Sequence, residues 1–355
     1  MKLCLTGLSR SGKSTIFSAL TEIEYDASFS GGKVEPKLAV VPVRDPRILR
    51  LSEMYEPKKT VFATIELADF PGTTDKAEKG DMFSTEMLQH FRNMDALGIV
   101  LRNFTDDYDE APDAVADLSV ISDEFIMADL IVVENRLDKI EASNKRGMKT
   151  PEMQIEEKIL LRIKAQLEEN KPLRDLSFTV DESKQIRGFT FLTLKPWLLI
   201  LNSGEKHFKQ SPEIVEQLSK SHPVIEFAGK FEMELTQFTD VDEIALFMED
   251  MGITDSARDR LAGTVYEILG YISFFTVGSD EVRAWNIFRG TKAQDAAGTI
   301  HSDLSRGFIR AECFTYDDLI SAGDEKTIKT QGKFRLEGKE YIVQDGDIMS
   351  IRFNV

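Results

Sequence analysis

The sequence is poor in cysteine and histidine, and neither residue type forms a recognisable cluster. There are two cysteines and four histidines among the 355 residues. Cys4 and Cys313 lie far apart, which is typical of a protein in a reducing compartment and not of a disulfide framework. His90, His207 and His222 have no metal-ligand spacing. These absences argue against a disulfide-rich secreted domain and against a histidine-based metal centre.

The sequence also lacks a long apolar run and an excess of basic residues. No apolar run approaches the roughly 20 residues that span a bilayer, so no membrane association is expected. The formal net charge of −17 argues against broad, non-specific nucleic-acid binding, although a local basic face is compatible with it. We expect a soluble, cytoplasmic protein without a leader segment. Its length and its hydrophobic content of 42% predict two or three domains with packed cores.

A phosphate-binding loop begins at residue 7. Residues 2–5 form an apolar run typical of a buried strand, and residues 16–23 have helical spacing. The segment between them, GLSRSGKST, matches G-x-x-x-x-G-K-[ST] in the strand, loop and helix setting that gives the pattern its meaning. Its glycines let successive N–H groups point inward, where they and the helix N-terminus favour phosphate. The predicted nucleoside triphosphate site consists of Gly7, Ser9, Arg10, Ser11, Gly12, Lys13, Ser14 and Thr15.

A second nucleotide motif follows a predicted strand, VFATIELADF. That strand ends in a D-x-x-G pattern formed by Asp69 and Gly72. An Asp at this position can hold Mg²⁺ through water, and the Gly72 N–H can sense the γ-phosphate. In the first loop, the Ser14 hydroxyl can ligate the same ion, and Lys13 can reach the β- and γ-phosphates. We predict Mg²⁺ as the cofactor, Ser14 and Asp69 as its ligands, and Lys13 and Gly72 as catalytic groups.

Hydrophobic periodicity predicts the rest of the architecture. Residues 38–43, 96–104 and 196–201 are strand-like runs, and residues 45–55 predict a short helix that begins at Asp45 and Pro46. Apolar spacings of three and four from about Ser122, and again from Ile155, predict a helical hairpin. Its apolar stripes favour mutual packing, because helices this long need tertiary burial; a partner groove is the alternative. From Ile272 onward, short apolar runs between turns predict a mainly β, ubiquitin-like module.

The four residues after the strand at 196–201 bear on the identity of the base. Guanine-specific P-loop proteins use N-K-x-D there, and its Asp accepts hydrogen bonds from guanine N1–H and the 2-amino group. Adenine has neither donor, and its N1 would be repelled by a carboxylate. This chain has Asn202 and Glu205 but carries Ser203 in place of the Lys. The guanine-recognition motif is therefore incomplete. We expect the chain to bind ATP, with GTP as the alternative.

Together these segments resemble the YchF/Obg-like ATPase family, a branch of the translation-factor-related P-loop NTPases. The matching stretches are GLSRSGKST, VEPKLAVVPVRDPR, IELADFPG, NMDALGIVLRNF, LTLKPWLLILNSGE, FFTVGSDEVRAWNI, AAGTIHSDLSRGFIRAE and KFRLEGKEYIVQDGDIMSIRFNV. The N-x-x-E tetrapeptide resembles the family's own form, which accompanies a preference for ATP. Ala228, Gly229 and Lys230 resemble the family's base-contacting S-A-K loop, of which only the Lys is intact.

The resemblance implies an α/β fold with three parts. These are a Ras-like P-loop G domain (residues 1–122 and 184–272), an inserted α-helical coiled-coil hairpin (residues 123–183) and a C-terminal β-rich, ubiquitin-like TGS domain (residues 273–355). TGS domains in the family act as regulatory or RNA- and ribosome-associated modules. The resemblance thus implies the ribosome or ribosomal RNA as a partner of the TGS and helical domains, and we expect a monomer.

The sequence departs from the family at several catalytic positions. The family loop reads P-N-V-G-K-S, and here Arg10 stands at the Asn position, which puts assistance by a monovalent cation in doubt. The switch Thr aligns with Lys33, the position after D-x-x-G holds Thr73, and the family His aligns near Ala111. Because positioning of the attacking water is a major part of phosphoryl transfer, we expect slow hydrolysis. Arg10 and Lys33 are either solvated loop residues or sources of positive charge for the γ-phosphate.

Two functional classes stay open from the sequence. One is a slow Mg²⁺-dependent ATPase that acts as a translation- or ribosome-associated switch. The other is a nucleotide-binding interaction protein that has lost meaningful hydrolysis. In the C-terminal segment, the basic residues are candidates for phosphate contact, and a solvated surface of scattered charge is the alternative. These candidates are Arg283, Lys292, Arg306, Arg310, Lys333, Arg335 and Lys339.

Overall fold

The computed structural model describes residues 1–21, 23, 36–70, 82–105, 111–148 and 150–354. The chain divides into two compact units. The first unit comprises Met1–Ala39 and Glu66–Ala257, and the second comprises Val40–Ile65 and Arg258–Val355. None of the helices in the described ranges combines the length and the apolar character needed to cross a bilayer.

The described residues form strands and helices along the whole chain. The strands are β1 (Lys2–Thr6), β2 (Lys37–Val43), β3 (Lys59–Val61), β4 (Ala63–Asp69), β5 (Ala96–Asn103), β6 (Trp197–Ser203), β7 (Val224–Phe227), β8 (Tyr271–Thr276), β9 (Glu281–Phe288), β10 (Phe308–Thr315), β11 (Arg335–Glu337) and β12 (Asp347–Phe353). The α-helices are α1 (Lys13–Thr21), α2 (Pro46–Tyr55), α3 (Thr85–Arg92), α4 (Ala114–Lys145), α5 (Pro151–Glu168), α6 (Val180–Ile186), α7 (Pro212–Ser219), α8 (Gly229–Leu235), α9 (Val241–Asp250), α10 (Ala257–Leu269), α11 (Ala293–Ile300), α12 (Ser302–Arg306), α13 (Tyr316–Ala322) and α14 (Glu325–Thr330). Short 3-10 turns occur at Leu173–Asp175, Arg187–Phe189 and Leu192–Leu194.

The first unit is built on a six-stranded sheet in the order β2-β4-β1-β5-β6-β7. β1 pairs in parallel with β4 and β5, and β5, β6 and β7 continue the parallel pairing. The central strands are almost completely buried, as continuous apolar runs in a parallel sheet require. The strands predicted at residues 2–5, 38–43, 96–104 and 196–201 are thus confirmed. The carboxyl ends of the parallel strands β4, β1, β5, β6 and β7 lie at one edge, where open α/β sheets bind ligands.

Helices α4 and α5 pack against each other along their apolar stripes. Ile126, Val133 and Ile140 of α4 share one buried cluster with Ile159 and Ile163 of α5. This arrangement confirms the prediction that the stripes serve mutual packing. The burial offsets the conformational entropy of ordering two long helices, which short-range propensity alone does not.

Helix α4 begins at Ala114, well before the predicted start near Ser122. Asp113 provides the N-cap, and its side chain accepts a hydrogen bond from a backbone N–H of the first turn at 3.0 Å. The turns of α4 before Ser122 bury Ala114 and Ile121 in the core that covers the sheet, so their apolar spacing does not continue the hairpin stripe. The predicted boundary at residue 123 therefore falls inside a helix. The division into G domain, hairpin and TGS domain stays a prediction.

The second unit contains a mixed six-stranded sheet in the order β11-β10-β12-β8-β9-β3. β10 is antiparallel to β11 and β12, β8 is antiparallel to β9, and β12 pairs in parallel with β8. One face is covered by α11, whose Ala296 and Ala297 pack against Phe274, Ile287 and Met349. The mixed sheet with a helix on one face agrees with the predicted β-rich module.

Residues 40–65 belong to the second unit, although they include the end of β2 and the beginning of β4. The predicted helix at residues 45–55 is confirmed as α2, which Asp45 caps. The Arg47 guanidinium lies 2.8 Å from both Asp45 and Asp345 and 5.2 Å from the centre of the Phe275 ring. β3 extends the sheet by pairing in parallel with β9. The sequence did not predict this membership, because an ion pair between distant residues leaves no local pattern.

Most of the basic residues singled out in the C-terminal segment already pair with carboxylates. The pairs are Arg283 with Glu281, Lys292 with Glu340, Arg306 with Asp303, Lys333 with Asp318, and Arg335 with Glu337 and Asp347. This pairing favours the alternative of a balanced, solvated surface. Contact between these residues and phosphate stays a prediction.

Candidate nucleotide-binding site

The loop between β1 and α1 has a backbone that requires glycine at two positions. Gly7 and Gly12 have φ values of +150° and +85°, which side chains disfavour. A Cβ on Gly7 would also lie 2.4 Å from the carbonyl oxygen of Val100 in β5. Arg10 has a positive φ of 61° as well, a conformation that costs a residue with a side chain about 1–2 kcal/mol. The loop thus has glycine at two positions with a positive φ and an arginine, Arg10, at a third.

Lys13 begins α1, and its ammonium group lies inside the loop. Its Nζ donates hydrogen bonds to the carbonyl oxygens of Gly7 at 3.0 Å and Leu8 at 2.6 Å. Burial lowers the pKa of Lys13 to about 8, against the opposing attraction of Asp69. A desolvated ammonium in a glycine-rich loop is an effective partner for phosphate, because a low dielectric strengthens its field.

Ser14 and Asp69, the two predicted magnesium ligands, lie next to each other. The Ser14 hydroxyl donates to Asp69 Oδ2 at 3.2 Å. Burial raises the pKa of Asp69 to about 6, even though Lys13 and Ser14 stabilise its carboxylate. The other oxygen, Oδ1, is buried and has no hydrogen-bond partner in the described part of the chain. An unsatisfied buried oxygen is costly, and a hard cation would satisfy it.

This donor set fits magnesium. No group of three or more His, Cys, Asp or Glu side chains that could hold a metal occurs in the described ranges. Mg²⁺ commonly takes one or two protein oxygens and completes its shell with water and substrate phosphates. Gly72, the glycine of the same motif, lies outside the described residues, as do Lys33 and Thr73.

Asn202 joins the phosphate loop to the segment at residues 228–230. Its side chain is buried, and its Nδ2 donates to the carbonyl oxygen of Ser11 at 3.1 Å. A Cβ on Gly12 would lie 2.1 Å from Asn202 Nδ2, and a Cβ on Gly229 would lie 2.4 Å from its Oδ1. Residues that the sequence suggested from three separate stretches therefore meet at one amide.

Ser203 is engaged elsewhere. Its hydroxyl donates to Glu226 at 2.6 Å and accepts from the Asn103 amide at 2.8 Å. Consecutive side chains of a strand point to opposite faces, so Asn202 and Ser203 contact different neighbours. The position at which guanine-specific proteins carry Lys thus belongs to a buried polar network.

The segment at residues 228–230 contributes backbone and not charge to this site. It begins α8, which packs against α1. Ala228 and Gly229 are buried, and the Ala228 N–H donates to Glu232 at 3.0 Å, whereas Lys230 is exposed. The two residues that depart from the family pattern therefore pack inward, and the Lys that matches it lies at the surface.

The remaining predicted residues differ in burial. Ser11 is buried, and its hydroxyl has no hydrogen-bond partner among the described residues. Thr15 is half-buried, and Ser9 and Glu205 are exposed. Ala111, near which the family His aligns, is also exposed. The geometry therefore brings Ser11 into the loop and leaves Ser9 and Glu205 accessible to solvent.

Phe104 adjoins this site and was missed by the sequence analysis. A Cβ on Gly12 would lie 3.6 Å from Phe104 Cε1, and one on Gly204 would lie 3.3 Å from Phe104 Cβ. The ring is half-buried and directly follows the carboxyl end of β5. An aromatic residue just after a buried strand of a nucleotide-binding sheet was the signal that could have identified it.

Comparison with known proteins agrees with these features. Residues 271–354 match the family model YchF-GTPase_C, whose description is "Protein of unknown function (DUF933)". The chain is 37% identical to the ribosome-binding ATPase YchF of Bacillus subtilis, with 99% of this chain and 98% of that protein covered. It is 35% identical to the Obg-like ATPase 1 of Oryza sativa subsp. japonica, with 100% and 92% covered.

A solved structure has the same fold over the whole chain. The YchF GTPase of Schizosaccharomyces pombe matches with a TM-score of 0.83 and 30% sequence identity, with 99% of this chain and 97% of that chain covered. The predicted fold class, a P-loop G domain with a helical insert and a C-terminal β-rich domain, is confirmed. Relatives at this identity and coverage also confirm the resemblance seen in the motifs. The chain belongs to the YchF/Obg-like ATPase family.

Proposed function

We propose that this protein is a slow Mg²⁺-dependent ATPase that hydrolyses ATP to ADP and phosphate and acts as a ribosome-associated switch. The observation that carries the proposal is the cluster formed by Lys13, Ser14 and Asp69, in which one carboxylate oxygen has no partner among the described residues. The relatives named ribosome-binding ATPase and Obg-like ATPase support the choice of nucleotide and of partner.

The proposed chemistry rests on positive groups of the protein that lie where negative charge develops on the phosphates during phosphoryl transfer. The Lys13 ammonium and the N–H groups of the loop stabilise the negative charge of the β- and γ-phosphates. Ser14 and Asp69 would hold Mg²⁺, which neutralises phosphate oxygens when it is bound. Ala111, near which the family His aligns, carries no group that could position the attacking water. Hydrolysis is therefore slow.

The base pocket favours adenine over guanine. Asn202 lies beside the loop, and Ser203, which would be Lys in a guanine reader, is held by Asn103 and Glu226. The Phe104 ring beside Gly12 offers a flat apolar surface on which a base can stack. Glu205 stands where guanine-specific proteins carry Asp, and its side chain is exposed.

A chain of aromatic contacts links the D-x-x-G strand to the hairpin. Phe70 follows Asp69, and its ring and that of Phe83 each lie 5.4 Å from the ring of Phe91. The Glu124 carboxylate of α4 accepts hydrogen bonds from the backbone N–H groups of Met82 at 3.2 Å and Phe83 at 3.5 Å. The rings of Phe83 and Phe125 stack with centroids 5.4 Å apart. A change near the γ-phosphate would therefore reach α4 through packed groups, which is how nucleotide switches transmit their state. We further propose that the protein is a cytoplasmic monomer.

Calorimetric titration with ATP and GTP in the presence of Mg²⁺ tests the nucleotide assignment. ATP is expected to bind at least tenfold more tightly than GTP, which corresponds to about 1.4 kcal/mol. Removal of Mg²⁺ by chelation is expected to weaken ATP binding, because repulsion between Asp69 and the phosphates is then uncompensated. Equal affinities or a GTP preference would overturn the ATPase assignment in favour of a GTP-binding protein.

Co-sedimentation with purified ribosomes tests the switch. The full chain is expected to co-sediment to different extents with a non-hydrolysable ATP analogue and with ADP, since a switch requires different affinities in its two states. The Lys13→Ala variant serves as the control and is expected to lose this nucleotide dependence. Absence of co-sedimentation in every nucleotide state would contradict the proposed partner.

A further inference from the structure

Helix α9 presents apolar side chains to solvent. Val241 is 76% exposed, Leu246 65% and Phe247 37%, and no residue of the helix is buried. The preceding Phe238 is 39% exposed, and its ring lies 5.4 Å from that of Phe247. We name these four residues the α9 face. Phe238 and Phe247 form an exposed aromatic pair, and Leu246 directly precedes Phe247 in the chain. Exposed apolar groups of this kind on a folded domain mark a place where another molecule binds.

A ring of carboxylates surrounds the centre of the α9 face. On a helix, the neighbours of Leu246 are the residues three and four positions away on either side. In this chain all four are acidic and exposed: Asp242, Glu243, Glu249 and Asp250. Residues 231–257 contain no Lys, Arg or His, and they carry acidic residues at Glu232, Glu234, Asp240, Asp242, Glu243, Glu249, Asp250 and Asp255. Leu246, at the centre of the α9 face, is thus surrounded by negatively charged side chains.

Helix stability does not explain this arrangement. Asp242 and Glu243 lie in the first turn of α9, where carboxylates interact favourably with the helix dipole. Glu249 and Asp250 lie at its C-terminal end, where the same interaction is unfavourable. Lys209 reaches the carbonyl oxygen of Gly252 just beyond this end, but Asp242, Glu243, Glu249 and Asp250 outnumber it around Leu246. Leu246 in turn gains nothing from exposure to water. A bound partner accounts for both features.

We propose that the α9 face docks a basic, amphipathic segment of another protein. Such a segment would place apolar side chains against Leu246 and Phe247, and its Lys or Arg residues would meet the surrounding carboxylates. Nucleic acid and anionic lipid do not fit, since their phosphates would face the same carboxylates. Two copies of the chain that meet through their α9 faces do not fit either, because this contact would bring like charges together.

The inner side of α9 connects this surface to the nucleotide site. Met248 and Met251 pack into a buried cluster with Phe208, Ala228 and Ile253. Ala228 belongs to the segment that contacts Asn202. A protein bound to the α9 face would therefore contact a helix whose opposite side lies next to the base-contacting loop. Docking itself requires only the surface described here and does not depend on ATP hydrolysis.

Fluorescence anisotropy with a labelled synthetic helix of Leu and Lys tests the proposal on the full chain. The unmodified protein is expected to bind this peptide, and hydrogen exchange at residues 238–250 is expected to slow when the peptide is added. Leu246→Gln combined with Phe247→Gln should weaken binding at least about tenfold, as loss of a central apolar anchor does. Asp242→Asn combined with Glu243→Gln should weaken binding several-fold and reduce its dependence on salt.

Two matched controls separate the α9 face from general surface effects. Leu161→Gln removes an apolar side chain of α5 that is 53% exposed. Glu213→Gln combined with Glu216→Gln removes two exposed carboxylates from α7. Both controls should bind the peptide like the unmodified protein, and thermal unfolding confirms that every variant is folded.

The proposal is overturned if the α9 variants bind the peptide as well as the unmodified protein does, or if the controls lose as much affinity. Unchanged hydrogen exchange at residues 238–250 would have the same consequence. Preferential binding of single-stranded RNA or of anionic vesicles through the α9 face would name a different occupant. Self-association that disappears in the variant with Leu246→Gln and Phe247→Gln would also overturn it.

Discussion

The guanidinium of Arg92 lies 2.7 Å from the carboxylate of Asp129, a residue with no exposed surface. Arg92 ends α3, and Asp129 lies in α4. The same carboxylate accepts hydrogen bonds from the backbone N–H groups of Leu192 and Thr193 and from the Thr193 hydroxyl. The buried charge is thus paired and hydrogen-bonded on both oxygens, and it connects α3, which follows the D-x-x-G motif, to the hairpin.

Removal of the Arg92 guanidinium should destabilise the protein strongly. In Arg92→Met, the Asp129 charge stays buried without its partner, and the expected loss is about 3–5 kcal/mol in the free energy of unfolding measured with urea. Arg136→Met is the matched control, because its pair with Glu156 at 2.7 Å lies partly in solvent. We expect that variant to lose less than about 1 kcal/mol. Equal losses would show that the buried pair has no special role.

Asn202 and Ser203 allow a test with neighbouring residues on one strand. Asn202→Ala removes the amide that holds Ser11 and contacts Gly12 and Gly229, so ATP affinity should fall at least about tenfold. Ser203→Ala should leave ATP affinity within about twofold and cost about 1 kcal/mol of stability through the lost contact with Glu226. Calorimetric titration and urea unfolding measure the two effects. The reverse pattern would contradict the site geometry.

Arg10 should be replaceable with a gain in stability. Its φ of 61° suits Asn better than Arg, so Arg10→Asn is expected to raise the free energy of unfolding by about 0.5–1 kcal/mol. The neighbouring Ser9→Asn, at a residue without a positive φ, should change it little. ATP turnover of the same variants tests the second possibility for this residue. A large loss of turnover in Arg10→Asn would make Arg10 a source of catalytic charge.

His222 should make the first unit sensitive to acid. Its ring stacks on Trp197 at 5.2 Å, and burial together with the Arg174 charge lowers the pKa of His222 to about 4. In the unfolded chain it titrates near about 6.5. Between these values the unfolded state binds more protons, so stability falls as the pH decreases from about 6.5 to about 4.

His222→Gln is expected to flatten this dependence, measured as the free energy of unfolding in urea at several pH values. His207→Gln, at an exposed histidine, is the matched control and should retain the slope of the unmodified protein. Unchanged acid sensitivity in His222→Gln would assign the effect to other groups.

The parts of the fold that could be predicted from the sequence have local causes. The phosphate loop is a contiguous sequence motif. Its glycines are needed where the backbone has a positive φ, as it does at Gly7 and Gly12. The strands β1, β5 and β6 are continuous apolar runs, and the α4 and α5 stripes repeat with the period of a helix. Each of these signals can be identified within a few consecutive residues.

The features that were missed depend on distant partners. Arg92 meets Asp129, and Arg47 meets Asp345, across separations that no sequence window spans. The start of α4 was placed too late, because its first turns pack on the sheet and not on the hairpin. Phe104 gains its place beside the loop only when β5 and the loop come together. The ion pairs of the C-terminal segment likewise form between residues that come together only in the folded chain.

Single-turnover hydrolysis of ATP tests the central claim most directly. With the protein in excess over ATP and with Mg²⁺ present, we expect phosphate release at a rate far below the ordinary enzyme median of about 10 s⁻¹. Lys13→Ala should reduce that rate further, because it removes the buried ammonium from the loop. Slow, Mg²⁺-dependent release that falls in Lys13→Ala is the predicted result. Release that is absent, or that is unchanged in Lys13→Ala, would contradict the account.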